Sequence, residues 1–179
     1  MDRNSQNCSR RGVIMENNMC MVCGHKNAKV EQIHDPVSKF INCPVCGMYK
    51  ISEENSNFKM IDKNKLASFL FYKGFKEHTL PGNNERRYYT TIENETNSGG
   101  MPTYIDSLMV DSWYPCTLSE KTDKILLKLN DLSEYMGDKI GLDREALYSC
   151  FFVDRFNPVN GERRSEDEAR NTSNVYVWL

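Results

Sequence analysis

Four cysteines dominate the chemistry available to this chain. They form two Cys-x-x-Cys pairs, "CMVC" at 20–23 and "CPVC" at 43–46, inside the run "CMVCGHKNAKVEQIHDPVSKFINCPVC". A tight turn within each pair curls both sulfurs to the same side, so two such turns can present four thiolates to one cation. Zn²⁺ takes four ligands in a tetrahedron, favours sulfur and holds it deprotonated at neutral pH. A glycine follows each second cysteine, Gly24 and Gly47. That position suits a left-handed backbone, which turns nearby amides toward the sulfurs. Pro44 stiffens the second turn. The pattern reads as one Zn²⁺ held by Cys20, Cys23, Cys43 and Cys46. Four thiolates close the coordination sphere and leave no position for water, so this metal would be structural and not catalytic.

Competing chemistries fit the pattern less well. Seven cysteines is an odd number for an oxidised scaffold, and four of them already sit in paired turns. A thioredoxin-like redox centre uses one Cys-x-x-Cys at a helix start within an α/β sheet, whereas two occur here in a short, loop-rich stretch. A rubredoxin-like iron site uses the same four thiolates. Nothing else in the chain suggests electron transfer, so zinc is the preferred metal. His25 follows Cys23 too closely to share its ion easily, and His34 adjoins a turn as a solvated loop residue. A His-Cys treble-clef nuclease would need a histidine in "YKISEENSNF", which has none. Cys8 reads as a free cysteine in the tail.

No further catalytic constellation appears. "SGGMPT" lacks both the spacing and the lysine of a phosphate loop, and neither a Gly-x-Ser-x-Gly elbow nor His-Glu-x-x-His is present. Only His78 stands away from the cysteine region, and Cys116 and Cys150 lack a nucleophile's signature. The chain therefore reads as a binding protein more than as an enzyme.

The elements around the cysteines are short. Val30 and Ile33 precede Asp35-Pro36 and Val37, Phe40 and Ile41 follow it, which predicts two strands about a turn, with "MYKIS" (48–52) as a third. Two cysteine knuckles on short strands resemble the zinc-ribbon family over residues 20 to about 52. A helix is expected over "FKMIDKNKLASFLFYKGFKEH", capped by Asp62 or Asn64, packed through Leu66, Phe69, Leu70, Tyr72 or Phe71, and Phe75, and weakened or ended at Gly74. Residues 79–105 are rich in loop signals, with a strand in "RRYYTTIE" (86–93) that reads as one with an exposed basic edge.

The clearest helix is "TLSEKTDKILLKLNDLSEYMG". Thr117 and Glu120 match a capping box, and Ile125, Leu126, Leu129, Leu132 and Met136 form the expected buried stripe. Its lysines and carboxylates form the solvated face, and Gly137 closes it. "DREALYSCFFV" (143–153) reads as helix or buried strand. The terminal "VYVWL" reads as a strand that pairs in the sheet or precedes a further domain.

Composition bounds the rest. The chain has 179 residues, 39% hydrophobic and 27% charged, a globular balance with enough apolar residues for a core. No apolar run approaches the roughly 18–20 residues that span a bilayer. The N-terminus lacks the apolar segment of a secretory signal, which makes the two glycosylation sequons at Asn94 and Asn171 chance matches and a cytoplasmic location the expectation. Net charge is +3 over residues 1–50 and −5 over the remainder, so no basic stripe points to nucleic acid by charge alone.

The expected fold is α+β: a tail at 1–18, a zinc ribbon at 19–55 and a mixed helix and strand body at 56–179. "CPVCGMYKIS" and the later Pro115–Leu129 patch resemble zinc-ribbon proteins of bacterial anti-phage defence systems. That resemblance implies an adaptor that binds a protein partner or effector. The alternative is nucleic-acid binding through Lys26, Lys29, Lys39, Arg10 and Arg11, with Arg86 and Arg87 on phosphates and Tyr88 and Tyr89 on bases.

Overall fold

The structure is a computed structural model that describes residues 19–34, 37–75, 86–95, 100–135 and 139–154. Asp35-Pro36, His78, Met136, Gly137, the tail with Cys8, Arg10 and Arg11, and the terminal "VYVWL" lie outside the described residues. So does the side chain of Arg86.

Five strands form one mixed sheet in chain order. β1 (Lys29–His34) and β2 (Val37–Cys43) are antiparallel, as are β2 and β3 (Gly47–Ile51). β4 (Arg86–Thr90) runs parallel to β3, and β5 (Gly100–Tyr104) runs parallel to β4. The three strands expected around the cysteines are present. They do not close on themselves, because β3 carries β4 on its free side. Every residue of β3 is buried, so both faces of this strand are covered.

Parallel neighbours need a crossover, and α1 (Ser56–Met60) with α2 (Lys63–Lys73) supplies it between β3 and β4. Asp62 caps α2, its carboxylate accepting from the Asn64 and Lys65 amides. Gly74 ends the helix, its N–H donating to the Leu70 carbonyl. α2 buries Leu66, Phe69, Leu70 and Phe71. Phe69 meets Tyr89 edge to face, which seats the helix on the sheet face that carries Ile41, Tyr49 and Tyr89.

On the opposite face lie Phe40, Lys50, Tyr88 and Thr90. Phe40 and Tyr88 meet edge to face, and Lys50 forms a buried ion pair with Glu95, which also accepts from the Tyr88 hydroxyl.

Three further helices follow: α3 (Ser107–Trp113), α4 (Leu118–Leu132) and α5 (Arg144–Cys150). Trp113, Tyr114, Tyr72 and Phe152 gather into an aromatic cluster beside α2. Within the 143–153 segment Arg144–Cys150 is thus a helix, capped by Asp143, whose carboxylate accepts from the Ala146 amide. β5 and α3 carry no clear periodicity, and loop signals mask them in the sequence. No helix among the described residues is long and apolar enough to cross a membrane.

Two expectations are corrected. β4 is not an edge: it lies between β3 and β5, and Tyr88 is buried in the core. The Thr117–Glu120 capping box forms as expected, but α4 ends at Leu132, and among the described members of its apolar stripe Ile125 is buried and Leu129 half-buried against the core. Leu126 is exposed, while Lys121, Lys124 and Lys128 turn inward over aromatic rings. The aromatic cluster offers quadrupolar faces that attract ammonium groups, and long lysine stems cover apolar surface, so either side of this helix can pack there.

Candidate metal centre

The first knuckle is a tight loop ahead of β1. The Cys20 amide donates to the His25 carbonyl and the Gly24 amide donates to the Cys20 carbonyl, both at 2.8 Å. Gly24 has φ 73°, the left-handed conformation its sequence position suggested. The Cys23 amide points at the Cys20 sulfur, 3.4 Å away. The second knuckle is the turn that joins β2 to β3, where Cys43 pairs with Gly47. Gly47 has φ 75°, and a Cβ there would lie 2.5 Å from the Phe75 carbonyl oxygen.

The fold brings all four sulfurs together. The ligand atoms of Cys20, Cys23, Cys43 and Cys46 lie within 4.8 Å of one another, and all four residues are buried. Cys20 and Cys46 sulfurs are 3.8 Å apart, and those of Cys23 and Cys43 are 3.5 Å apart. Tetrahedral Zn–S bonds of about 2.3 Å imply sulfur separations of about 3.8 Å. A disulfide would bring two sulfurs to about 2.05 Å, and all four cysteines here are free. The donor set therefore fits a soft, tetrahedral cation and no sulfur is tied up in a bridge.

Charge argues the same way. Hydrogen bonds to Cys20 and Cys43, then burial, hold the Cys23 thiol well above its usual range. Burial, with hydrogen bonds to Cys20 and Cys23, does the same to Cys46. Burial also opposes the Cys20 thiolate, but hydrogen bonds from Cys23, Cys43 and Cys46 outweigh it and pull Cys20 well below the usual range. Burial on this scale opposes several thiolates side by side. Four require a cation.

A tyrosine meets this centre, and a histidine stands beside it. Tyr49 is buried, and its hydroxyl lies 2.9 Å from the Cys20 sulfur. Burial, then the charge of Cys20, pushes its phenol pKa well up, so it stays protonated and donates to the thiolate. His25 is not a ligand. Its Nδ1 accepts from the Asn27 amide, which leaves the proton on Nε2 to donate to Asp143, 2.9 Å away. That bond ties the first knuckle to the start of α5. His34 is exposed at the end of β1, away from the sulfurs.

Neither Tyr49 nor Asp143 was singled out in the sequence. Tyr49 had one signal, its place two residues after Gly47 in a strand leading out of a knuckle. Asp143 is linked to His25 across 118 positions, and no local pattern reports that.

The residues considered for nucleic acid are dispersed. Lys26 and Lys29 are exposed beside the first knuckle, while Lys39 pairs with Glu53. Arg87 is exposed on β4, separated from β1 by two strands. Tyr88 packs on Phe40, and Tyr89 packs on Phe69 and Phe75. Comparison with protein-family models, with curated proteins and with solved structures finds no match to this chain.

Proposed function

We propose that the chain is a zinc-binding recognition protein in which one structural Zn²⁺ fixes the ribbon-like half of the sheet and another surface binds a protein partner. The observation that carries this reading is the closed set of four buried sulfurs, from Cys20, Cys23, Cys43 and Cys46, within 4.8 Å of one another. A site with four protein thiolates leaves no position for substrate, so the metal's contribution is cross-linking. It joins the loop before β1 to the β2–β3 turn. Zinc is preferred over iron because nothing else in the sequence suggests electron transfer. The likeness of "CPVCGMYKIS" and Pro115–Leu129 to defence-associated zinc-ribbon proteins is the support for an adaptor role in that setting.

The test is metal analysis of the purified chain. One zinc per chain is expected, with loss of ordered structure around residues 20–52 when a strong chelator removes it, and the same loss in Cys43→Ser. A visible thiolate-to-iron absorption band with stoichiometric iron would replace zinc by iron. A folded, metal-free protein with four titratable thiols would remove the metal reading altogether.

A further inference from the structure

The outward face of α4 has an unusual composition. All three lysines of the helix face inward: Lys124 lies 4.6 Å from the Trp113 ring centre, Lys121 5.7 Å from Tyr114, and Lys128 5.3 Å from Phe71. The exposed charged residues left between positions 117 and 135 are Glu120, Asp123, Asp131 and Glu134, all acidic. Among them stand Leu126 and Leu127, 60% and 67% exposed, with Leu118 and Tyr135 also exposed toward the ends.

Helical spacing arranges these residues. Asp123, Leu127 and Asp131 succeed one another at four-residue steps, so they share one side of the helix, and Glu120 extends the row by three positions. Leu126 lies beside Leu127. An apolar anchor thus sits with a carboxylate one turn away on each side and no cation among the exposed positions. An isolated helix would be expected to turn its leucines inward. Here Ile125 and Leu129 pack inward together with the lysines held by cation–π contacts, and Leu126 and Leu127 stay in water, which is characteristic of a surface that a partner covers.

We infer that this outer face of α4 is a docking surface for a basic amphipathic segment of a partner protein. Such a segment sets an apolar side chain against Leu126 and Leu127. Lysines or arginines about one turn to either side of that side chain then meet Asp123 and Asp131. Charge complementarity selects the partner's sign, and leucine burial supplies the affinity. The inference deepens the partner-binding part of the proposed function and is independent of the metal.

The probe is a fluorescein-labelled helical peptide with a leucine stripe flanked by lysines, titrated into the zinc-loaded full chain and followed by anisotropy. A control peptide replaces each lysine with glutamate. The lysine peptide is expected to bind at least tenfold more tightly than the control, and to weaken as salt rises. Leu126→Asn with Leu127→Asn should lower affinity at least tenfold, with unchanged circular dichroism because both side chains are exposed. Asp123→Asn with Asp131→Asn should weaken binding and flatten its salt dependence.

Equal binding of the two peptides, no binding of either, or indifference to both pairs of substitutions would overturn the inference. So would a concentration-dependent dimer abolished by the leucine substitutions, which would assign the face to a second copy. Peptide binding that appears only after deletion of residues 1–18 would assign it to the chain's own Arg10–Arg11 segment and overturn it equally. Zinc content is measured on the same samples. One zinc per chain without peptide binding removes the docking surface and leaves the metal reading standing.

Discussion

Tyr49 is the residue on which the proposed metal centre depends beyond its ligands. A phenol donating to one of four thiolates draws charge from that sulfur and lowers its nucleophilicity, and donors of this kind commonly alter metal affinity by about 10–100-fold. Tyr49→Phe keeps the ring and removes the donor. The variant should still carry one zinc, release it to a colorimetric chelator about tenfold faster, and expose Cys20 to alkylation. Release at the wild-type rate, with Cys20 still protected, would show that the hydroxyl only fills space. Among the described cysteines, Cys116 is the exposed one and should react first with a thiol reagent in the native protein.

At the scale of elements, the second knuckle rests on the C-terminus of α2. A Cβ at Gly74 would lie 2.1 Å from the Cys46 carbonyl oxygen and 2.3 Å from that of Leu70. Both atoms are backbone, so neither can yield without moving the knuckle or the helix. Gly74→Ala is expected to destabilise the fold by about 3 kcal/mol, the upper end for overpacking, and to weaken zinc retention along with it. Thermal melts of the zinc-loaded and zinc-free variant separate the two effects. The Met48 amide donates to the Phe75 carbonyl just beyond, so this contact also fixes where β3 begins.

At the scale of the molecule, one continuous sheet carries the cysteine strands together with β4 and β5 in a single hydrogen-bonded layer. Lys50 and Glu95 pair across it with side chains only 2% and 5% exposed. Removing one member leaves the other charged in the interior. Lys50→Met should therefore cost about 3–5 kcal/mol in urea denaturation, and adding Glu95→Gln should recover a large part of that. A double variant that costs the sum of the two single variants would show the pair to be uncoupled.

Cys150 gives the fold an alkaline limit. Burial pushes its thiol up to about 11, against the partial opposition of Tyr72 and Lys128. A raised folded-state value stabilises below the ordinary thiol pKa and loses that contribution as pH climbs through the folded value. The expected loss is about 2–3 kcal/mol between pH 9 and 11 in the zinc-loaded protein, and Cys150→Ala should flatten it.

The sequence by itself determined which four cysteines cluster, the left-handed glycines behind each knuckle, the three strands around them, the capping of α2 and α4, and the mixed α+β class. Each is a local matter of spacing and backbone preference over a few neighbouring residues. Only the tertiary structure decided that β3 accepts β4 and so merges the cysteine strands into a larger sheet. It also decided that Tyr88 is buried and Tyr89 half-buried, that His25 bonds to Asp143, and that α4 turns its lysines inward beside Ile125 and Leu129 while Leu126 and Leu127 face out. Those outcomes depend on which surfaces meet across long stretches of chain. An amphipathic pattern states that a helix has two faces, but an aromatic cluster that attracts cations can choose the charged one.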